Sequence, residues 1–209
     1  MNIVQQRQIA ATIAELYQDS KNDHFRMMKG VAKSVFRPMQ PIDFKDVYLS
    51  ISQEQGADLT ELIKQKNLKN IIEFGTSFGI STLFLAAGAI ETGGHIITTE
   101  LIASKARQAF ENFKRAGVND LIEIRIGDAV ESLKNHSTPI DLLLLDGWKD
   151  LYLSVFRLLE SNFHQNTIVY VDNADMADTK AFLRAVSQNP KYQFQSYYGG
   201  RVVLITVTS

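Results

Sequence analysis

The chain has 209 residues, 45% of them hydrophobic, a formal net charge of -1 at pH 7 and no cysteine. That length supports one substantial core and points to a single domain over residues 1–209. The balanced charge gives nucleic acid no electrostatic footing and favours small-molecule partners. The missing thiols exclude disulfides and Cys-ligated metals while leaving oxygen-ligated cations open.

Apolar residues at Ile3, Val4, Ile9, Ile13, Leu16 and Tyr17 recur near helical spacing, with Gln, Arg and Glu between them, so the chain is expected to open on an amphipathic helix. Polar residues run throughout Met1 to Gln18. That stretch lacks the apolar core of a signal peptide or membrane span, and a cytoplasmic protein without membrane contact is expected. Between Met27 and Asp46 the pattern weakens, and Pro38 and Pro41 interrupt any helix. Residues 1–46 are therefore expected to form a helical lid or cap over a catalytic core at 47–209.

A further helix is expected from about Ser52 to Lys66. Strands then follow near 70–74, 94–99, 121–126, 140–145 and 167–172, with helices in the intervals. Such alternation predicts an α/β, Rossmann-like, doubly wound and mostly parallel sheet of seven strands. The runs Ile140 to Leu145 and Ile168 to Val171 are almost wholly apolar, as strands covered on both faces should be. The end of the chain differs. Phe194 to Tyr198, Gly199-Gly200 and Val202 to Val207 predict an antiparallel hairpin.

Glu73-Phe74-Gly75-Thr76-Ser77-Phe78-Gly79 lies between an apolar strand and a helix-like stretch starting at Ser81. Its glycines permit a tight turn that brings amide donors to a ligand. Glu100 follows at about the interval where Rossmann-like domains place a ribose-binding carboxylate. Gly127-Asp128-Ala129 closes the third strand with another acid, suited to accept from an adenine amine. Singly, the glycines are explained by a turn, and Glu100 and Asp128 by helix capping. Together, in consecutive β-α units, they favour a nucleoside cofactor. A dinucleotide is the alternative, although the third glycine of G-x-G-x-x-G is missing.

Asp146 and Asp172-Asn173 each close an apolar strand and together offer hard oxygen donors of the kind Mg²⁺ prefers. An Asx turn or helix cap is the competing reading of Asp172-Asn173. Lys149, three residues after Asp146, is within reach of the same ligand and is the candidate base, against the ordinary reading of a solvated lysine. Trp148 is either packing or a wall for an aromatic ring. His24, His95, His136 and His164 share no metal-ligand spacing.

The segment Asp146-Gly147-Trp148-Lys149-Asp150-Leu151-Tyr152 resembles the Asp-His-Trp-Lys-Asp-x-Tyr segment of catechol O-methyltransferase, with Gly147 in place of histidine. Asp172-Asn173 resembles the second metal segment of the same family, the cation-dependent class I O-methyltransferases, which includes the caffeoyl-CoA enzymes. The likeness covers roughly residues 47–209. It implies Asp146, Asp172 and Asn173 as ligands of Mg²⁺, or of Mn²⁺ or Ca²⁺, with Lys149 as general base. It also implies Glu73, Gly75, Thr76, Ser77, Gly79, Ser81, Glu100, Leu101, Asp128, Ala129, Asp146 and Trp148 around S-adenosylmethionine. In this likeness Ser81 holds the cofactor's carboxylate end, and Ile51 to Gly56 border its methionine part. Tyr197-Tyr198-Gly199-Gly200 gives no counterpart for an acid that grips substrate.

The resulting expectation is methyl transfer to a small hydroxylated aromatic acceptor with vicinal hydroxyls. The alternatives are an NAD(P)-dependent oxidoreductase, disfavoured by the absence of a suitably placed Tyr-x-x-x-Lys, a non-catalytic cofactor-binding module and a metal hydrolase. Arg26, Lys29, Lys33 and Arg37 are expected on a solvated face, and an exposed amphipathic first helix points to a homodimer.

Overall fold

The computed structural model describes residues 3–21, 23, 26–28, 40–48 and 50–208. The lid expected between Met27 and Asp46 falls largely outside these residues, as do Lys29, Lys33 and Arg37. The first helix, α1 (Ile3–Ser20), buries Ile9, Ile13 and Leu16 but leaves Ile3 and Val4 exposed. After a 3-10 turn at Pro41–Phe44 comes α2 (Gln53–Lys66). A capping box starts α2, in which the Gln55 amide donates to Ser52 Oγ and the Ser52 amide donates to Gln55 Oε1.

Strands and helices then alternate: β1 (Asn70–Phe74), α3 (Ile80–Thr92), β2 (His95–Glu100), α4 (Ala103–Ala116), β3 (Ile122–Ile126), α5 (Ala129–Leu133), β4 (Ile140–Leu145), α6 (Tyr152–Leu159), β5 (Phe163–Val171) and α7 (Ala177–Val186). The chain closes with β6 (Tyr192–Tyr197) and β7 (Val202–Val207). The sheet order is β3-β2-β1-β4-β5-β7-β6. The first five strands pair in parallel, and β7 inserts antiparallel between β5 and β6. The expected doubly wound sheet and terminal hairpin are both present.

Strand alternation sorts the core onto two faces. Ile71, Leu142, Leu144, Ile168 and Tyr170 pack with α1 to α4, while Ile72, Leu143, Leu145, Val169 and Val171 pack with α5 to α7. Because strand order reverses between β1 and β4, the carboxyl ends of these two neighbours form the switch point of the sheet, where open α/β folds leave a crevice for ligands. No described helix is long and apolar enough to cross a membrane.

Candidate functional site

The parallel ladder runs one residue past the strand ends. The Asp146 amide donates to the Phe74 carbonyl and the Asp172 amide to the Leu145 carbonyl, each at 3.0 Å. Because Leu145 pairs with Val171, the two aspartates become neighbours at the sheet edge. The Asp146 side chain is only 8% exposed, and Asp172 as a whole residue 6%. Burial and then the Asp172 charge push the Asp146 carboxyl well above the usual carboxylate range, with Lys149 pulling the other way. The Lys149 ammonium lies 3.7 Å from Asp146 Oδ1 and donates to the Gly147 carbonyl at 2.8 Å. The amide of Gln55, in the first turn of α2, donates to Asp172 Oδ1 at 3.0 Å.

Two desolvated carboxylates side by side repel, and the penalty is relieved by a proton or a cation. The donors are all oxygen, which suits a hard divalent ion. No group of three or more His, Cys, Asp or Glu suited to a metal occurs among the described residues. A cation here would therefore need the Asn173 amide oxygen and oxygens of water or ligand beside the two acids. Asn173 sits at φ 54°, the left-handed region that asparagine tolerates better than most residues.

Next to this pair runs the turn from β1 into α3. Gly75 adopts φ 107°, and a Cβ there would stand 2.6 Å from the Asp146 carbonyl oxygen. Only glycine lets the turn lie against the acid's backbone. Gly79 caps α3 at φ 89° with the Phe113 ring against it. Glu73 is wholly buried and accepts hydrogen bonds from Ser81, Thr82 and Thr98 at 2.5, 2.5 and 2.6 Å. Burial raises its pKa and the hydroxyls oppose that rise. The Ser81 hydroxyl, expected on a cofactor carboxylate, is thus turned inward to Glu73.

Glu100 accepts from the Ser77 and Ile102 amides, each at 2.8 Å, and burial raises its pKa. Asp128 caps α5 through the Val130 and Glu131 amides. The Trp148 ring lies 6.2 Å from that of Phe44. Thr76 is buried on Thr98, Ala129 is buried, and Leu101 is exposed beside Glu100. Ile51 is buried, and its carbonyl accepts from the Tyr17 hydroxyl of α1. Gly56 falls inside the first turn of α2, not ahead of the helix. Arg26 is paired with Asp19 and Asp23.

Several residues of this region escaped the sequence reading. Lys105 is 4% exposed and donates to the Val47 carbonyl at 2.8 Å and to Ser77 Oγ at 3.3 Å. Burial lowers its pKa, and Glu100 opposes that shift. A signal existed: 105, 109, 112 and 116 recur at helical spacing along the buried stripe of α4. Tyr48 stacks on Phe78 with ring centroids 4.3 Å apart, and its carbonyl accepts from Ser77 Oγ. The resemblance places Gln55 only within the segment bordering the cofactor, whereas its contact with Asp172 spans 117 positions of chain.

A model of the O-methyltransferase family matches residues 18–182. Catechol O-methyltransferase from Niastella koreensis is 32% identical over 129 residues, which cover 60% of this chain and 58% of that protein. Caffeoyl-CoA O-methyltransferase from Medicago sativa is 30% identical over 132 residues, covering 60% and 53%. The matched stretch thus spans little more than half the length of these relatives. An SAH-bound methyltransferase from Podospora anserina has a TM-score of 0.72 over 100% of this chain and 97% of that one, at 20% identity. An O-methyltransferase from Bacillus cereus in complex with SAH gives 0.68 over 87% and 97%, at 21% identity. At such identities the likeness is one of fold.

Proposed function

Because the chain belongs to the O-methyltransferase family, we propose that it transfers a methyl group from S-adenosylmethionine to one hydroxyl of a small aromatic acceptor with vicinal hydroxyls, aided by a divalent cation. The observation that carries this reading is the buried Asp146–Asp172 pair, with the Lys149 ammonium 3.7 Å from Asp146, beside the switch point of the sheet. The relatives named for catechol and caffeoyl-CoA support the acceptor class.

Asp146, Asp172 and the Asn173 amide oxygen would hold Mg²⁺, Mn²⁺ or Ca²⁺. When bound, the cation supplies positive charge that favours the ionised form of an acceptor hydroxyl. Lys149 Nζ, in its neutral amine form, would take that hydroxyl's proton and become the ammonium, held beside the site by its bond to the Gly147 carbonyl. The turn from Gly75 to Gly79, with Thr76, Ser77 and the start of α3, cradles the sulfonium cofactor. Glu73, with Ser81 on it, fixes the turn from behind.

A carboxylate has about four lone-pair positions. Glu100 therefore keeps capacity for ribose hydroxyls beside the Ser77 and Ile102 amides it already receives. Asp128 likewise keeps an oxygen for an adenine amine, near Leu101 and Ala129. Ile51 and Trp148 close the apolar walls, and a small acceptor is the only partner this reading requires.

The test is transfer to catechol by Lys149→Met and Asp172→Ala with Mg²⁺ present. Loss of a positioned base costs about 10²- to 10⁴-fold, so Lys149→Met should lose at least about a hundredfold in kcat/KM, and Asp172→Ala, which removes a cation ligand, should also lose activity, both still binding S-adenosylhomocysteine. Wild-type rates in both variants would refute the mechanism.

A further inference from the structure

The wall between α2 and β5 holds a polar cluster whose members satisfy one another, with one exception. Gln55 Nε2 donates to Asp172, and Gln55 Oε1 accepts from the Ser52 amide. The Tyr198 hydroxyl donates to Asp58. The Tyr170 hydroxyl, on a residue only 3% exposed, has no hydrogen-bond partner. Tyr170 lies on β5, two positions before Asp172 at the strand's end, and sits in the core cluster on the α1 to α4 face. Alternation turns its side chain to the same face as Asp172. Its register partner, Leu144, likewise lies two residues before Asp146.

Around Tyr170 lie the Asp172, Asp146 and Asp58 carboxyls and the Tyr198 hydroxyl. A tyrosine phenol carries its proton at neutral pH. It is a donor among oxygen acceptors, bonded to none of them. Leaving a buried donor unpaired costs about 1–3 kcal/mol, and such a group in a native structure calls for a ligand or water to explain it. The other unpartnered buried hydroxyl, Thr179, shares its helical stripe on α7 with Phe182 and Val186, on the opposite face of the sheet.

We infer that Tyr170 is a specificity-determining residue whose hydroxyl donates to the second, non-reacting oxygen of a vicinal diol seated at Asp146 and Asp172. The inference rests on the acceptor class proposed above and assigns one of its oxygens to one side chain. Tyr170 thereby makes discrimination between a diol and a single hydroxyl a property of β5, alongside any contribution from the cation. A site built to bond a substrate hydroxyl rejects the analogue lacking it, because the buried donor is then left unpaired.

The experiment is a two-by-two binding cycle. Catechol and phenol are titrated into the full chain and into Tyr170→Phe, each with S-adenosylhomocysteine and Mg²⁺ present. The substitution removes one oxygen and keeps the ring. A net hydrogen bond of about 1 kcal/mol corresponds to roughly fivefold in affinity. Tyr170→Phe should thus weaken catechol about five- to tenfold, leave phenol within about twofold, and leave S-adenosylhomocysteine affinity unchanged. An unchanged catechol-to-phenol ratio, as expected of a hydroxyl that only holds an ordered water, overturns the inference while leaving the proposed function standing. Failure of the wild-type chain itself to bind catechol overturns both.

Discussion

Glu73 is a carboxylate with no route to water, and three hydroxyl groups answer it. Burying a charge is costly unless it is paired and hydrogen-bonded, and the rise in its pKa shows burial outweighing the three donors. The folded state therefore holds the Glu73 proton more tightly than the unfolded chain. The stability this group contributes is complete below its unfolded pKa and is lost as pH rises through the raised folded value. Replacing Glu73 by Gln should flatten the decline of the urea midpoint as pH rises above the ordinary carboxylate range, relative to wild type. Parallel profiles for the two proteins would show that Glu73 carries no such linkage. Gly147 shows a different constraint at the same scale. A Cβ there would lie 2.6 Å from the Phe74 ring, so that ring occupies the space a side chain at 147 would need.

At the scale of elements, α2 and α3 pack tightly through glycine. A Cβ on Gly88 would meet Ile63 Cβ at 2.8 Å and the Thr60 carbonyl at 3.1 Å. Neither atom lies at the end of a flexible chain. Gly88→Ala should therefore destabilise the protein by about 1–3 kcal/mol, the usual penalty for overpacking, despite alanine's better helix propensity. Chemical denaturation reads this directly, and a more stable variant would mean that the two helices separate freely. Element positions were largely legible because apolar runs and capping residues are local signals. The N-terminal part of β5 was not. It starts at Phe163, where a polar stretch through His164 and Asn166 continues a register broken by an irregularity between Ile140 and Leu142. His164 is held there by Asp141 at 3.0 Å. A polar strand end fixed by a side chain 23 positions away leaves no periodicity to read.

At the scale of the molecule, winding the chain outward from β1 in both directions brings Gly75, Asp146 and Asp172 to one edge although they are far apart in sequence. The acids were legible because each terminates an apolar strand, and sequential strands tend to be neighbours. What stayed hidden depends on contacts across layers: Gln55 reaching from α2 to Asp172, and Lys105 reaching from α4 to Val47. These side chains belong to helices whose docking no local pattern specifies. The same edge carries the functional claim. The direct measurement is mass-spectrometric detection of methylated catechol after incubation of the purified chain with S-adenosylmethionine and catechol, in Mg²⁺, in EDTA, and in EDTA overcome by excess Mg²⁺. Mono-methylated product should form with Mg²⁺, fall to background in EDTA and return when the ion is restored. Undiminished product in EDTA, or none under any of the three conditions, would contradict the account.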